Sequence, residues 1–343
     1  MPIPANTGLR LGAPTRHTKL NGIMSNSATT NTDWPAIPYA EWQSTATALH
    51  LYSQIVGKYR LSHSPWVNHS WHATLYVTAR GLTTSLIPDQ RSNIEITLDF
   101  FDHVVRGQSE SGAEAGFSLQ PMSVARFHQQ FIGMINELGG SPTFHGTPNE
   151  LPDPVPFAED TQERPYDAEA VASFHSALVS IQRVFQNFRT GYRGKVSPVH
   201  LFWGSFDLAV TRFSGRTAPL HPGGIPALPD VITREAYSHE VCSAGFWPGG
   251  GPIDEAAFYA YAYPQPEGFS SSVVRPDGAY FDDDFGEYIL PYEVVRGSAE
   301  PERVLMDFLE STYQAAATLG DWDRTLECER GLIGTPPAID SPG

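Results

Sequence analysis

Two stretches of the sequence decide the fold: S-P-W-V-N-H-S-W-H-A-T-L-Y-V-T-A-R-G at residues 64–81 and S-P-V-H-L-F-W-G-S-F-D-L-A-V-T-R-F-S-G at residues 197–215. Both begin with Ser-Pro, follow a segment of helical periodicity, and then alternate between apolar and polar residues. Alternation of this kind is typical of a strand with one buried face. The two stretches therefore predict an internally duplicated α+β protein, with a mainly antiparallel sheet covered by helices.

The remaining elements are arranged around these two stretches. Apolar residues at three- and four-residue steps predict four helices, over residues 38–59, 121–138, 171–192 and 301–319. Five prolines between residues 147 and 166 predict a linker between the halves, 34–146 and 167–322. Residues 1–33 are predicted to be a disordered extension and residues 323–343 a flexible tail. The two halves are expected to form one compact unit.

Composition excludes several classes of partner. The net charge is −16 and no apolar run reaches the length of a membrane span, so neither nucleic acid nor a membrane is expected as a partner. The two cysteines are not in a metal-binding spacing, and no secretory signal opens the chain. These features indicate a cytoplasmic protein; the alternative interpretation of residues 1–33 is a mitochondrial transit peptide. The oligomeric state stays open.

The polar sides of the two repeated strands predict a catalytic pair. Facing away from the predicted core are His72, Tyr76 and Arg80 in the first stretch, and Trp203 and Asp207 in the second. If the two strands lie side by side, His72 and Asp207 form an imidazole–carboxylate pair of the kind that orients a general base. The alternative is a solvated outer sheet face.

A second candidate region lies between residues 215 and 252, where 13 of 38 residues are Gly or Pro. A long loop with aromatic residues such as Trp247 inside a compact domain is typical of a functional site. It contributes His239 and Glu240, which with His72 and Asp207 complete the predicted acid–base set. No nucleotide cofactor is expected, because Gly249–Gly251 are not part of a phosphate-binding motif.

The same region suggests a divalent metal. Glu235 and His239 are four residues apart and share a face if Asp230 begins a short helix, with His221 or His200 as a further ligand. The alternative is that these histidines are hydrogen-bonded structural residues. For a small-molecule ligand we expect contacts from the following residues: Tyr76, Arg80, Trp203, Arg212, Trp247 and Tyr261.

These observations predict an enzyme of the hydrolase, lyase or cyclase type, acting on a small organic molecule by histidine and carboxylate acid–base chemistry, with or without a metal. The rival hypothesis is a non-catalytic binding protein with an aromatic-lined pocket.

Three motifs carry a family resemblance: the S-P-V-H-L-F-W-G-S-F-D segment from Ser197, Y-S-H-E at Tyr237–Glu240, and G-F-W-P-G-G-G at Gly245–Gly251. The chain resembles an uncharacterised bacterial and fungal family known only as a domain of unknown function. The likeness runs from about Trp34 to Trp322. It implies one recurrent unit and leaves the chemistry open.

Overall fold

A computed structural model describes residues 33–225, 228–250 and 253–330. The predicted extension, up to residue 32, and the tail beyond residue 330 lie outside the described residues. Six α-helices are found in the described part: α1 (Tyr39–His63), α2 (Val124–Glu137), α3 (Ala168–Thr190), α4 (Asp230–Ala236), α5 (Tyr292–Arg296) and α6 (Pro301–Leu319).

The four predicted helices are confirmed, and local chemistry explains where three of them begin. The Ser123 side chain accepts from the backbone N–H of Arg126 at the start of α2. The Asp167 side chain accepts from the N–H groups of the first turn of α3, and Pro301 is the first residue of α6. Such caps satisfy donors that have no partner within the helix, and a proline at the first position removes one of them.

The first half contains a five-stranded antiparallel meander. Its strands follow chain order: β1 (Tyr76–Thr78), β2 (Gly81–Ile87), β3 (Ile94–Asp99), β4 (Val104–Ser109) and β5 (Glu114–Ser118). A separate two-stranded ribbon joins β6 (Met122–Ser123) to β7 (Glu163–Arg164). The segment predicted to be a linker thus contributes a strand to the fold.

The second half contains a six-stranded antiparallel sheet in the order β12-β13-β11-β10-β9-β8. Its strands are β8 (His200–Phe202), β9 (Asp207–Thr217), β10 (His239–Trp247), β11 (Ala257–Tyr263), β12 (Tyr280–Asp282) and β13 (Glu287–Pro291). The two sheets meet where Leu75 and Leu201 exchange backbone hydrogen bonds of 2.9 and 2.8 Å. The α+β class with antiparallel sheets and helices is confirmed; duplication stays a prediction.

One face of the six-stranded sheet forms part of the main core. Leu208, Val210, Phe246 and Phe258 point to this face and are fully buried. Helices α3 and α6 pack on the sheet and contribute buried apolar residues such as Phe185 to the same core. Because strand residues alternate between faces, this packing assigns the intervening residues to the opposite side.

Two sequence expectations need correction. Residues 215–252 are not one long loop, because they contain α4 and the central strand β10. The core side of β10 is formed by every second residue: Cys242, Ala244 and Phe246. This alternation predicts a strand, but the many Gly and Pro residues around it suggested a loop. The strand predicted over residues 71–80 is shorter, since His69 and Ser70 have φ of 56° and a turn precedes β1.

No helix in the described ranges has the length and apolar character needed to cross a membrane.

Candidate functional site

The face of the six-stranded sheet opposite the helices carries a row of polar and aromatic side chains. Tyr261 on β11 lies opposite Ser243 on β10, which in turn lies opposite Thr211 on β9. The Thr211 and Ser243 hydroxyls are 2.8 Å apart. We call this side of the sheet the polar face. Three carboxylates gather on or beside it, and we call them the carboxylate cluster: Glu150, Asp207 and Glu287.

Asp207 is the most buried member of the carboxylate cluster, with 5% of its surface exposed. It accepts hydrogen bonds from the hydroxyl groups of Ser205 and Tyr259, the latter at 2.5 Å. Burial raises the pKa of Asp207, and these two hydrogen bonds oppose the rise. Two donated hydroxyl protons therefore fix the orientation of the Asp207 carboxyl group.

A glycine allows Tyr259 to reach Asp207. Gly245 is paired with Tyr259 across β10 and β11, and a Cβ at this position would lie 2.3 Å from the tyrosine ring and hydroxyl. The ring can therefore lie flat over β10 only because no side chain stands there.

Glu150 and Glu287 have pKa values near neutrality. Burial and the charge of Asp207 raise the pKa of Glu150 to about 7, although Lys58 opposes this. Burial, Asp207 and Asp282 raise the pKa of Glu287 to about 8. Both side chains are half-buried, and Glu287 Oε2 has no hydrogen-bond partner among the described residues. Each can hold or release a proton at the pH of a cell.

Helix α1 supplies the cation beside this cluster. Lys58 is buried and donates a 2.7 Å hydrogen bond from Nζ to Asn149 Oδ1. Burial lowers the pKa of Lys58 to about 8, against the raising effect of Glu150. Gln54, one turn earlier on α1, holds the backbone of Asn149 by two hydrogen bonds. The proline-rich segment is thus anchored so that Glu150 faces the sheet.

Aromatic rings form a wall next to the carboxylates. Trp247 and Tyr259 have ring centroids 4.3 Å apart, and Tyr259 and Tyr261 are stacked at 6.1 Å with planes 15° apart. Tyr237 donates from its hydroxyl to the Tyr261 hydroxyl at 2.9 Å. Tyr237, Tyr261 and Trp247 are half-buried, so the wall stays partly open to solvent.

The predicted contact between His72 and Asp207 is wrong. His72 Nδ1 bonds to the backbone of Val67, at 3.1 Å from its nitrogen and 3.2 Å from its oxygen, whereas Asp207 bonds to Ser205 and Tyr259. The expectation placed both residues in paired equivalent strands. In the fold, His72 precedes β1 in a turn.

The other two residues of the predicted acid–base set have partners of their own. Glu240 accepts from Ser214 at 2.8 Å and forms an ion pair with Arg216 at 2.7 Å. His239 Nδ1 lies 3.1 Å from the Ser238 hydroxyl, and its ring is 6.2 Å from that of His69. Of the predicted set, Asp207 alone belongs to the carboxylate cluster.

The predicted ligand-binding residues divide into two groups. Trp247 and Tyr261 lie together on the polar face, as described above. Three others make separate contacts: Tyr76 stacks under Arg60, Arg80 pairs with Asp99, and Arg212 is buried between Phe188 and Tyr313. Trp203 donates to the Ala73 carbonyl, and its ring centroid lies 5.5 Å from Lys58 Nζ, beside the carboxylate cluster. Arg212 points to the helix side because it directly follows Thr211 on β9.

The expected metal site is not assembled. Helix α4 forms as predicted, but its Glu235 carboxylate accepts from the backbone N–H of His69 at 2.8 Å. His221 stacks on Tyr237, and His200 Nδ1 lies 2.8 Å from the Pro198 carbonyl. No group of three or more His, Cys, Asp or Glu residues suited to a metal occurs within the described ranges.

Sequence reasoning missed Lys58, Glu150 and Glu287. Lys58 lies within a regular helix and Glu150 within a proline-rich segment, so neither belongs to a recognisable motif. Glu287 ends the stretch D-D-F-G-E at Asp283–Glu287, whose pattern is typical of an acidic surface turn. The one available signal was for Lys58: lysine is rare in this chain and occurs only at positions 19, 58 and 195.

Comparison with known families identifies the chain. A family described as "Family of unknown function (DUF5996)" matches residues 34–328. The chain belongs to this family. The resemblance carried by the Trp203, Tyr237 and Trp247 motifs is therefore confirmed. Comparisons with curated proteins and with solved structures gave no match.

Proposed function

We propose that this protein is an enzyme that acts on a small organic molecule by acid–base chemistry at the carboxylate cluster. One observation carries the proposal: Glu150 and Glu287, with pKa values of about 7 and about 8, share the surroundings of the buried Asp207. Carboxyl groups with such values exchange protons efficiently near neutral pH.

The different pKa values assign complementary roles. Near pH 7.5, between these two values, Glu150 is the more deprotonated of the two groups and Glu287 the more protonated. Glu150 then serves as the general base and Glu287 as the general acid, while burial first, and Asp207 second, raise both pKa values. This arrangement suits a reaction of the hydrolase, lyase or cyclase type, in which one proton is removed and another is supplied.

The aromatic wall supports a small organic substrate. The exposed parts of Trp247 and Tyr261 offer flat apolar surfaces next to the carboxylates, and the half-buried Thr211 offers a hydroxyl group. Rings of this kind hold the apolar part of a ligand while a few polar groups fix its orientation. The same wall also favours the rival function, a binding protein that does not transform its ligand.

Turnover in a mixture of small metabolites tests the proposal. The full chain would be incubated with a metabolite extract, and loss and gain of compounds would be followed by mass spectrometry. We expect at least one compound to be converted, with a bell-shaped dependence of kcat/KM on pH that is highest between pH 7 and 8.

Matched variants separate the two functions. Glu287→Gln should reduce turnover by about 10²-fold or more. Glu302→Gln changes an exposed glutamate on α6, paired with Arg183, and should leave turnover unchanged. A compound that binds the chain and is recovered unaltered would instead support the binding protein. Equal turnover by both variants would reject the assigned role of Glu287.

A further inference from the structure

Lysine is rare in this chain, and the two lysines within the described ranges are both withdrawn from the surface. Lys58 is buried and Lys195 is half-buried, whereas 19 arginines supply the remaining positive charge. Lysine usually lies at the surface, where its ammonium is hydrated. Lys195 therefore occupies an unusual environment, and it is separate from the carboxylate cluster.

His69 contacts the Lys195 amine directly. The His69 Nδ1 atom lies 3.0 Å from the Ala236 carbonyl oxygen, to which it can only donate. This fixes the tautomer, so that Nε2 carries the lone pair and accepts a hydrogen bond from Lys195 Nζ. The imidazole is thus oriented as a proton acceptor for the amine.

Glu235 holds the histidine in place. Its two carboxylate oxygens accept from the backbone N–H of His69 at 2.8 and 3.0 Å, where the backbone has a φ of 56°. A non-glycine residue with this φ is uncommon and needs support from its surroundings. Helix α4 therefore fixes the position of His69 relative to Lys195.

Two aromatic rings surround the amine. Lys195 Nζ lies 4.7 Å from the Phe213 ring centroid and 5.4 Å from that of Trp71. Ring faces of this kind stabilise an ammonium. Burial works in the opposite direction and lowers the pKa of both Lys195 and His69, while Glu235 raises each in part. The lowering favours a neutral, nucleophilic amine.

We propose that Lys195 is a nucleophilic lysine that forms an imine with a small aldehyde or ketone, with His69 as its proton acceptor. The amine attacks the carbonyl carbon, and His69 Nε2 takes the proton that leaves nitrogen. His69 passes this proton to the carbonyl oxygen, which becomes the hydroxyl of a carbinolamine. The second N–H proton then follows the same route to that hydroxyl, which departs as water and leaves the imine. One C=O bond is exchanged for one C=N bond, and no oxidant or reductant is needed.

The proposal is independent of the acid–base function assigned to the carboxylate cluster. The half-buried Trp71 offers an apolar surface for the alkyl or aryl part of the carbonyl compound. The half-buried Lys195 and Trp71 leave an approach from solvent.

Reductive trapping tests this proposal with few competing sites. The full chain would be treated separately with acetaldehyde and with pyruvate at pH 7.5 in the presence of cyanoborohydride, and alkylated lysines would be located by peptide mass spectrometry. We expect Lys195 to be labelled at least about tenfold faster than Lys19, which serves as an internal reference, and Lys58 to be labelled least.

Two variants and a pH series make the result decisive. His69→Gln should slow labelling of Lys195 by about tenfold or more, whereas His103→Gln, at a histidine whose ring contacts the Tyr166 hydroxyl, should leave it unchanged. In the unmodified chain, labelling of Lys195 should reach half its maximum at a lower pH than labelling of Lys19. Equal rates and equal midpoints for these two lysines would overturn the proposal, whatever the stability of the variants.

Discussion

The two faces of the six-stranded sheet are made by the same strands and have opposite characters. On the helix side, Leu208, Val210 and Phe258 are fully buried in the main core. On the polar face, Asp207 and Tyr261 alternate with them along the same strands. Because the side-chain period of a strand is two, a single register places one set in apolar packing and the other beside titratable groups. The helix side should govern stability, and the polar face should govern chemistry.

The largest loss of stability should follow from removing an aromatic ring on the helix side. Phe258 is fully buried, with its ring centroid 5.3 Å from that of Phe246 and 6.1 Å from that of Tyr292. Phe258→Ala should lower the free energy of unfolding by about 3–5 kcal/mol, through lost burial and the cavity left behind. Chemical denaturation measures this, and Tyr261→Phe on the same strand is the control. A loss below about 1 kcal/mol would contradict the assignment of the main core.

A smaller loss of stability should follow from substitutions that keep side-chain shape at two neighbouring positions of β9. Val210→Thr places a hydroxyl in the apolar core, and should lower the free energy of unfolding by about 1–3 kcal/mol. Thr211→Val removes one hydrogen bond to Ser243 on the polar face, and should cost about 1 kcal/mol or less. Denaturation of both variants under one condition gives the comparison. The reverse order would show that the two faces are wrongly assigned.

Titration of Glu287 should make the free energy of unfolding depend on pH, by at most about 1.4 kcal/mol per pH unit. The pKa of Glu287 is raised from 4.5 in the unfolded chain to about 8 in the fold, so the folded state keeps a proton that the unfolded state releases. Its contribution to stability is present below pH 4.5 and is lost as the pH rises through about 8.

Glu287→Gln removes this titrating group and keeps its shape. Between pH 6.5 and 8 the free energy of unfolding of the unmodified chain should therefore decline relative to that of the variant, as measured by denaturation at a series of pH values. The exposed change Glu302→Gln should not alter the slope. Parallel curves for all three proteins would show that Glu287 titrates normally.

Much of the fold could be predicted because its signals are local. The helix periodicity of Val171 to Tyr192 and the Pro301 start of α6 depend on residues a few positions apart, and both helices formed. The nine-residue strand β10 was missed because glycines and prolines on both sides suggested a loop. Its own pattern, Cys242, Ala244 and Phe246 on the core side, was present in the sequence.

The candidate site could be predicted only in part. Asp207 was identified because alternation places it away from the core. Trp247 was identified as an aromatic residue of the Gly- and Pro-rich region 215–252, and Tyr261 as an expected ligand contact. His72 was assigned to Asp207 because the strands of two similar stretches were taken to lie side by side. The actual junction joins Leu75 to Leu201, and this register leaves His72 beside Val67.

The sequence by itself determined the class of fold, the main helices and which side chains share a strand face, because these follow from repeats of about 3.6 and two residues. Only the tertiary structure decided that Lys58 and Glu150 meet Asp207, and that His69 meets Lys195. These residues are separated by 57 to 149 positions along the chain. Their proximity depends on how helices, sheets and connecting segments pack together, and burial in that packing is what shifts their pKa values.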